Sequence, residues 1–181
     1  MKKNLPVTDN ERTFDKDTVL VSMTDTKGII TDANDAFVAI SGFSREELIG
    51  KPHNLVRHPD MPPAAFKDLW EMIANGKHWM GIVKNRRKKG DYYTVNAFVS
   101  PIYSGDDLVG YQSVRIKPEK DVVERAMRVY HGINKGRMPK PNKSIAVRYG
   151  TLLSIAAVIA WTIGSAVLAT PLELTVVLTV L

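Results

Sequence analysis

The stretch from Pro52 to Pro62, PHNLVRHPDMP, concentrates the side chains best suited to chemistry. It carries two histidines, an arginine and an aspartate, namely His53, Arg57, His58 and Asp60. Histidine and aspartate can ligate a metal, but the i, i+5, i+7 spacing matches no standard metal motif. A histidine near a carboxylate can act as a general base, yet no nucleophile elbow or carboxylate pair accompanies it. An ion pair between Arg57 and Asp60 that merely holds a loop is equally compatible, so the motif alone leaves its role open.

Two short strands and two short helices precede this motif. The β-branched runs TVLVSMTD and GIITDAN, separated by Lys27-Gly28, predict two strands joined by a tight turn. Asn34 is placed to cap a short helix that ends near Gly42. Ser44 and Glu47 have capping-box spacing, which predicts a second short helix before Gly50.

A longer helix and three strands follow the motif. In PPAAFKDLWEMIAN, residues 62–75, the prolines sit at the first turn and the apolar residues follow helical spacing. The runs MGIVKNRRK, DYYTVNAFVSPI and DLVGYQSVRI have strand character and are joined by short polar turns. The sequence therefore predicts an α+β fold, a five-stranded antiparallel sheet with small helices on one face, over residues 18–118. Residues 119–134 show one apolar helical stripe, typical of a linker helix.

Three long motifs carry a resemblance to a known family. In order they are PHNLVRHPDMP, FKDLW and HWMGIVKNRRKKGDYY. From about Thr18 onward the chain resembles the PAS domain, basic linker and membrane hairpin of bacterial aerotaxis receptors. The resemblance implies a PAS fold that binds FAD without covalent attachment. It also implies that the flavin's redox state sets a chemotaxis signal, with no substrate turned over.

Position by position, the resemblance places the flavin site on seven residues: Asn34, His53, Arg57, His58, Asp60, Trp79 and Asn85. Trp79 would line an aromatic slot for the ring, and His53 and Asn85 would supply hydrogen bonds. Arg57 would contact the pyrophosphate, and Asp60 would contact the ligand or orient Arg57 or His58.

Some classes of function are excluded by what the sequence lacks. It has no cysteine, so disulfides, Cys-ligated zinc and a cysteinyl flavin adduct are impossible. No G-x-G-x-x-G motif follows a strand, which excludes FAD bound by a dinucleotide-binding fold. The basic tetrad from Arg86 to Lys89 lacks interleaved aromatic residues, so we interpret it as a solvated hairpin tip rather than a nucleic-acid surface.

The net charge of +6 comes from one segment. Between Arg125 and Arg148 lie seven Lys or Arg and no acid, which leaves 18 basic and 19 acidic residues elsewhere. The uncharged run from Gly150 to Pro171 follows directly and is about the length of a membrane-spanning helix. Cations beside a span mark its cytoplasmic side, so the sensor domain is expected in the cytoplasm at the bacterial inner membrane. The run LTVVLTVL that ends the sequence predicts the start of a second, truncated helix of a transmembrane hairpin.

The sequence thus divides into four segments. They are an N-terminal arm or cap (residues 1–17), the PAS domain (18–118), a linker helix with a basic juxtamembrane segment (119–149) and the membrane hairpin (150–181). The resemblance implies a homodimer that signals to a chemotaxis kinase or adaptor, with no nucleic-acid partner. Two alternatives stay open: a cofactor-free PAS module tethered to the membrane, and a haem sensor with His53 or His58 as axial ligand.

Overall fold

A five-stranded antiparallel sheet forms the centre of the domain in the computed structural model, which describes residues 4–137. The elements in chain order are β1 Leu20–Thr24, β2 Ile30–Ala33, α1 Asp35–Ser41, α2 Arg45–Leu48, α3 Pro63–Ala74, β3 Trp79–Arg86, β4 Tyr92–Ser104, β5 Asp107–Ile116 and α4 Lys120–Asn134. One 3₁₀ turn, His53–Val56, lies within the proline-bounded motif. The predicted strands, short helices and linker helix are confirmed.

The strand order is β2-β1-β5-β4-β3, so the first and last strands of the domain are neighbours. Leu20 of β1 pairs with Arg115 of β5, which in turn pairs with Ala97 of β4. The chain between β2 and β3 contains α1, α2, the motif and α3, and these elements pack on the sheet. Strands β1, β5 and β4 are central in this order, so each is paired on both sides.

Local caps place the short helices as the sequence predicts. The Asn34 side chain accepts a hydrogen bond from the backbone N–H of Phe37 at the start of α1. Ser44 and Glu47 form a reciprocal capping box on α2. Each cap satisfies N–H groups that have no partner within the helix, which fixes where the helix begins.

The hydrophobic core lies between the sheet and the helices. Its largest fully buried side chains include Tyr93, Phe37, Leu20, Ile30 and Ile73. Burying such side chains contributes about 1.5–3 kcal/mol each. This packing holds α1 and α3 against the sheet and leaves a space between α3 and the strands for the candidate site.

The N-terminal arm docks on the domain over the residues that the structure describes. The N–H of Thr8 donates to the carbonyl of Gly90 at 2.9 Å, and Glu11 pairs with Tyr92 in an isolated parallel bridge. Of the two forms expected from the sequence, a mobile arm or a cap, the described residues have the cap.

Helix α4 attaches to the domain by a small number of contacts. No residue of α4 is fully buried. The Tyr130 hydroxyl donates to the Ile82 carbonyl on β3 at 2.9 Å, and Asn134 Nδ2 donates to the Asp60 carbonyl at 2.7 Å.

Within residues 4–137, every helix is too short or too polar to cross a bilayer. The predicted membrane hairpin, residues 150–181, and most of the basic juxtamembrane segment lie outside the described residues and stay predictions.

Candidate functional site

A cavity of about 250 Å³ opens between α3, the proline-bounded motif and the inward face of the sheet. Its apolar walls come from α3 and from β3 and β4, and include Phe66, Leu69, Ile73, Trp79, Val83, Ala97 and Val99. Its polar wall comes from β1, β5 and the motif, and includes Ser22, His53, Arg57, Gln112, Ser113 and Arg115. A slot with apolar sides and a few converging polar groups is the usual form of a small-molecule site.

The first half of the motif is held by two bridges, at Pro52 and at Arg57, which is why it can form a cavity wall. Pro52 bridges to Ile29, and Arg57 bridges to Asn85 on β3. Between these points the chain makes the 3₁₀ turn, and the N–H of His53 donates to the Gly28 carbonyl at 2.9 Å. The prolines at positions 52, 59 and 62 restrict the backbone and hold this shape.

Arg115 forms the centre of the polar wall. It is only 4% exposed, and its guanidinium donates to His53 Nε2 at 2.8 Å and to Ser22 Oγ at 3.1 Å. Its guanidinium carbon also lies 5.0 Å from the centre of the Phe37 ring, on its face. Burial lowers the pKa of Arg115 to about 10, so the side chain stays charged at neutral pH.

His53 is held neutral beside this cation. Burial, followed by the positive charge of Arg115, lowers the pKa of His53 to about 3. Because a guanidinium can only donate, Nε2 of His53 must carry the lone pair and its proton must be on Nδ1. The Ser22 hydroxyl, 3.1 Å from the same Nε2, can donate to it while accepting from Arg115.

In contrast to Arg115 and His53, two polar side-chain atoms in the cavity wall have no hydrogen-bond partner among residues 4–137. They are Nδ2 of Asn85, a residue that is 3% exposed, and Oγ of Ser113, a residue that is 7% exposed. A buried polar group without a partner costs about 1–3 kcal/mol. These atoms are therefore available for hydrogen bonds to a ligand that enters the cavity.

Trp79 lies flat along β3 at the cavity wall. Its Nε1 donates to the Asp68 carboxylate at 2.8 Å, which fixes the ring from the α3 side. A Cβ at position 81 would lie 2.6 Å from the Trp79 ring, so only Gly81 allows this ring position. The absence of a side chain at Gly81 is therefore needed for the Trp79 ring to pack where it does.

Arg57 also lines the cavity. Its guanidinium lies 3.9 Å from the centre of the Phe66 ring, and Nη2 donates to the Met61 carbonyl at 3.0 Å. Burial lowers the pKa of Arg57 from its ordinary value. The structure therefore brings four of the predicted residues together in the cavity wall: His53, Arg57, Trp79 and Asn85.

The other three predicted residues lie outside the cavity wall and have partners of their own. Asn34 caps α1 and bonds to the backbone of β1. Asp60 pairs with Lys84 at 2.7 Å, rather than with Arg57, and lies 3.5 Å from His58. His58 is 2% exposed and contacts the Tyr92 ring edge to face. In this structure these side chains stabilise the loop and helix that surround the cavity.

Sequence reasoning missed the contributions of β1, β5 and the end of α3. Ser22, Ser113 and Arg115 supply most of the polar wall, while Trp70 and Tyr111, which also line the cavity, contact each other edge to face. The available signal was a polar pair, Ser113 and Arg115, at alternate positions of a predicted strand. Whether these two side chains face the cavity can be inferred only once the strand register is known.

The other chemistries considered for the motif find little support. No cluster of three or more potential metal-ligating side chains occurs within the part of the chain that the structure describes. Nε2 of His53 already accepts from Arg115, and His58 does not line the cavity, so neither histidine offers an axial ligand to a haem there.

The comparison with protein families identifies the class of this domain. Residues 30–115 match the family described as the PAS fold. A light-oxygen-voltage domain, solved in a study titled "Flavin Analogue Sheds Light on Light-Oxygen-Voltage Domain Mechanism", has the same architecture. Its TM-score is 0.55 at 19% identity, over 60% of this chain and 84% of that one. At that identity the likeness shows the fold alone. The described domain is a PAS domain.

The comparison with individual proteins agrees with the motifs. The chain is 44% identical over 152 residues to the aerotaxis receptor of Escherichia coli strain K12, covering 83% of this chain and 29% of the receptor. It is 26% identical over 117 residues to the biofilm dispersion protein BdlA of Pseudomonas aeruginosa, covering 57% of this chain and 28% of that protein. The resemblance to the PAS region of bacterial aerotaxis receptors is confirmed, and the chain spans less than a third of these relatives.

Proposed function

We propose that this PAS domain binds a flavin, FAD, without covalent attachment and reports its redox state to a chemotaxis output. The observation that carries the proposal is the charge of the cavity wall. Three cations, Lys27, Arg57 and Arg115, line it, and no carboxylate does among the residues that the structure describes. Of the three, Arg115 is buried, and its neutral acceptors, His53 and Ser22, offset only part of the cost of burying a cation. A phosphate-bearing ligand rich in acceptor atoms supplies negative charge and further acceptors.

The shape and hydrogen-bonding groups of the cavity also favour a flavin. The apolar walls suit a flat aromatic ring, and Trp79 offers an aromatic surface fixed by Asp68. Asn85 Nδ2 and Ser113 Oγ offer hydrogen bonds that the described residues leave unused. A bound flavin supplies a ring that accepts electrons and protons and so changes charge with its redox state. Arg115 is positioned to stabilise added negative charge in the cavity, with its orientation fixed by His53 and Ser22.

A cofactor-free tethering module is less consistent with this site. A domain selected only for docking gains nothing from unpartnered polar atoms and a buried guanidinium whose acceptors among the described residues are all neutral. Well-packed apolar side chains would stabilise such a domain more. The retained polar wall therefore supports a ligand-binding role.

The same strand that carries Asn85 also holds α4. Asn85 and Ile82 lie three residues apart on β3, and the Ile82 carbonyl accepts from Tyr130 of α4. The loop that carries Arg57 also carries Asp60, whose carbonyl accepts from Asn134 at the end of α4. We therefore propose that a change in hydrogen bonding at Asn85 and Arg57 is relayed to α4 through these two contacts.

The wider role follows from the resemblance to aerotaxis receptors. We propose a membrane-anchored homodimer at the bacterial inner membrane, with the PAS domain on the cytoplasmic side. Its signal would reach a chemotaxis kinase or adaptor through regions outside this chain. The domain would act as a sensor and not as an enzyme.

Hydrogen exchange tests the sensing claim. The full chain, loaded with FAD in detergent solution, is compared in its oxidised and chemically reduced forms without oxygen. We expect amide exchange within Lys120–Asn134 and β3 to differ between the two forms. Tyr130→Phe removes only the hydroxyl that bonds to Ile82, so it should diminish the difference in α4 while that in β3 persists. Identical exchange in α4 for the two redox forms would contradict the relay.

A further inference from the structure

A row of apolar side chains crosses the face of the sheet that lies opposite the cavity. The residues on either side of Phe98 in β4 line the cavity, so Phe98 itself points to the outer face. In register with Phe98 lie Met80 on β3 and Val114 on β5, and Val114 in turn pairs with Val21 on β1. Because directly paired residues share a face of the sheet, these four side chains form one outer row.

Met80 is the exposed end of this row. It lies on the edge strand β3 and is 69% exposed, while its partner Phe98 is 43% exposed. The Phe98 ring is covered in part by His78, which stacks on it with ring centroids 5.4 Å apart. Directly paired residues have Cβ atoms about 4.5–5.5 Å apart, so the Met80 thioether is within reach of the Phe98 ring. Contacts between sulfur and an aromatic ring are favourable.

The other four methionines within residues 4–137 are less accessible. Met61 is 1% exposed, and its Sδ accepts a hydrogen bond from the N–H of Lys84 at 3.3 Å. The remaining three are partly buried, namely Met23, Met72 and Met127. Oxidation of a thioether requires that the oxidant reach a lone pair on the sulfur. Met80 is therefore the methionine of this part of the chain that a small oxidant reaches most easily.

We propose that Met80 is an oxidation site, at which hydrogen peroxide converts the thioether to the sulfoxide and so weakens the pairing of β3 with β4. The sulfur lone pair attacks one oxygen of the peroxide and the O–O bond breaks. One oxygen stays on the sulfur, and the other leaves as water. The sulfur loses two electrons and the peroxide gains them, so no further reactant is needed. Methionine sulfoxide reductases reverse this change.

The position of Met80 determines what the sulfoxide does. It replaces an apolar group with a polar one against Phe98, and β3 has β4 as its one neighbour in the sheet. The same strand carries Trp79 in the cavity wall and the Ile82 carbonyl that accepts from Tyr130 of α4. Oxidation of Met80 thus acts on the strand that joins the cavity to α4, and it does so without a bound cofactor.

Mass spectrometry and hydrogen exchange test this inference on the purified full chain in detergent solution. After brief treatment with dilute hydrogen peroxide, peptide mapping should show Met80 oxidised several times faster than the four other methionines. Amide exchange within Trp79–Arg86 should then be faster than before treatment, because local opening of an edge strand depends on its cross-strand contacts. Incubation with methionine sulfoxide reductases should restore the original exchange.

Two variants assign the effect to one side chain. Met80→Leu keeps an apolar side chain of similar volume, so its exchange in β3 should not respond to peroxide. Met72→Leu, at a partly buried position on α3, is the matched control and should respond as the wild type does.

Three results would overturn the inference. The first is oxidation of another methionine within residues 4–137 ahead of Met80. The second is unchanged exchange in β3 once Met80 is fully oxidised. The third is an equal response to peroxide in Met80→Leu, because the effect would then come from another residue. None of these measurements requires a bound flavin, so their failure is distinct from failure of the proposed function.

Discussion

Arg115 and His53 show how the cavity keeps a charge without a counter-ion. A buried guanidinium loses hydration, and here neutral acceptors and the Phe37 face offset part of that loss. His53 can accept from Arg115 only while it is neutral, because its protonation would place two cations 2.8 Å apart. The polar wall is therefore arranged around a permanent positive charge and a histidine that does not ionise at neutral pH.

The lowered pKa values of His53 and His58 predict a loss of stability in mild acid. Burial lowers the pKa of His58 to about 4, with a further contribution from Lys84, and that of His53 to about 3. Both values lie below the ordinary 6.5, so the unfolded chain binds more protons than the folded one as pH falls below 6.5. The free energy of unfolding should then decrease by up to about 1.4 kcal/mol per pH unit for each histidine.

Urea unfolding of the cofactor-free chain between pH 7 and pH 5 measures this effect, in a range above the titration of most carboxylates. His58→Gln should reduce the slope of stability against pH. His131→Gln, at an exposed position on α4, is the matched control substitution. A wild-type stability that is constant from pH 7 to pH 5 would contradict the burial of these two rings as charge-excluding sites.

The β3–β4 hairpin makes structural contacts that the sequence did not predict. The basic tetrad from Arg86 to Lys89 was expected to be a solvated tip, and for two of its members that is wrong. Arg86 is 6% exposed and donates to the carbonyls of Pro6 and Leu5 at 2.7 and 3.0 Å, while Arg87 donates to the carbonyl of Ile40 at 2.6 Å. Their acceptors are backbone carbonyls distant in sequence, which no side-chain pattern marks.

Arg86 accordingly joins the N-terminal arm to the sheet, and the arm in turn reaches the motif. Asn4 Nδ2 donates to the carbonyls of Asn54 and Arg57 at 2.6 and 3.1 Å. We predict that Arg86→Met releases the arm and destabilises the domain by about 2 kcal/mol, the contribution of charge-assisted hydrogen bonds.

Limited proteolysis within residues 4–12, together with urea unfolding, measures this release. Lys89→Met, on the same hairpin but exposed, is the matched control and should behave as wild type. Should Arg86→Met remain as resistant to cleavage in the arm as the control, the arm would be held by its other contacts and not by Arg86.

At the scale of the whole molecule, the sequence predicted the fold better than the site. Strands, caps and the capping box depend on neighbouring residues, and Asn34, Ser44 and Glu47 act as their spacing indicates. The cavity instead depends on the pairing of β1 with β5, which brings Ser22 close to Arg115, 93 residues later. Motif residues such as His53 were recognised from their clustering, whereas Arg115 lay in a strand with no cluster to indicate it.

The site residues predicted from the resemblance to aerotaxis receptors fall into two groups, those in the cavity wall and those outside it. Of its seven predicted site residues, the structure brings four into the cavity wall and gives Asn34, His58 and Asp60 partners outside it. Loss of ligand binding on substitution of these three would act through the loop and helix that shape the cavity. Their residue types alone could not distinguish support from contact.

The visible absorption spectrum of the purified full chain, refolded with excess FAD and freed of unbound cofactor, tests whether the domain binds FAD. We expect the two-banded spectrum of oxidised flavin, eluting with the protein and released intact on denaturation. A correctly folded chain that elutes without these bands would contradict it, because the cationic, carboxylate-free cavity would then have no flavin to bind.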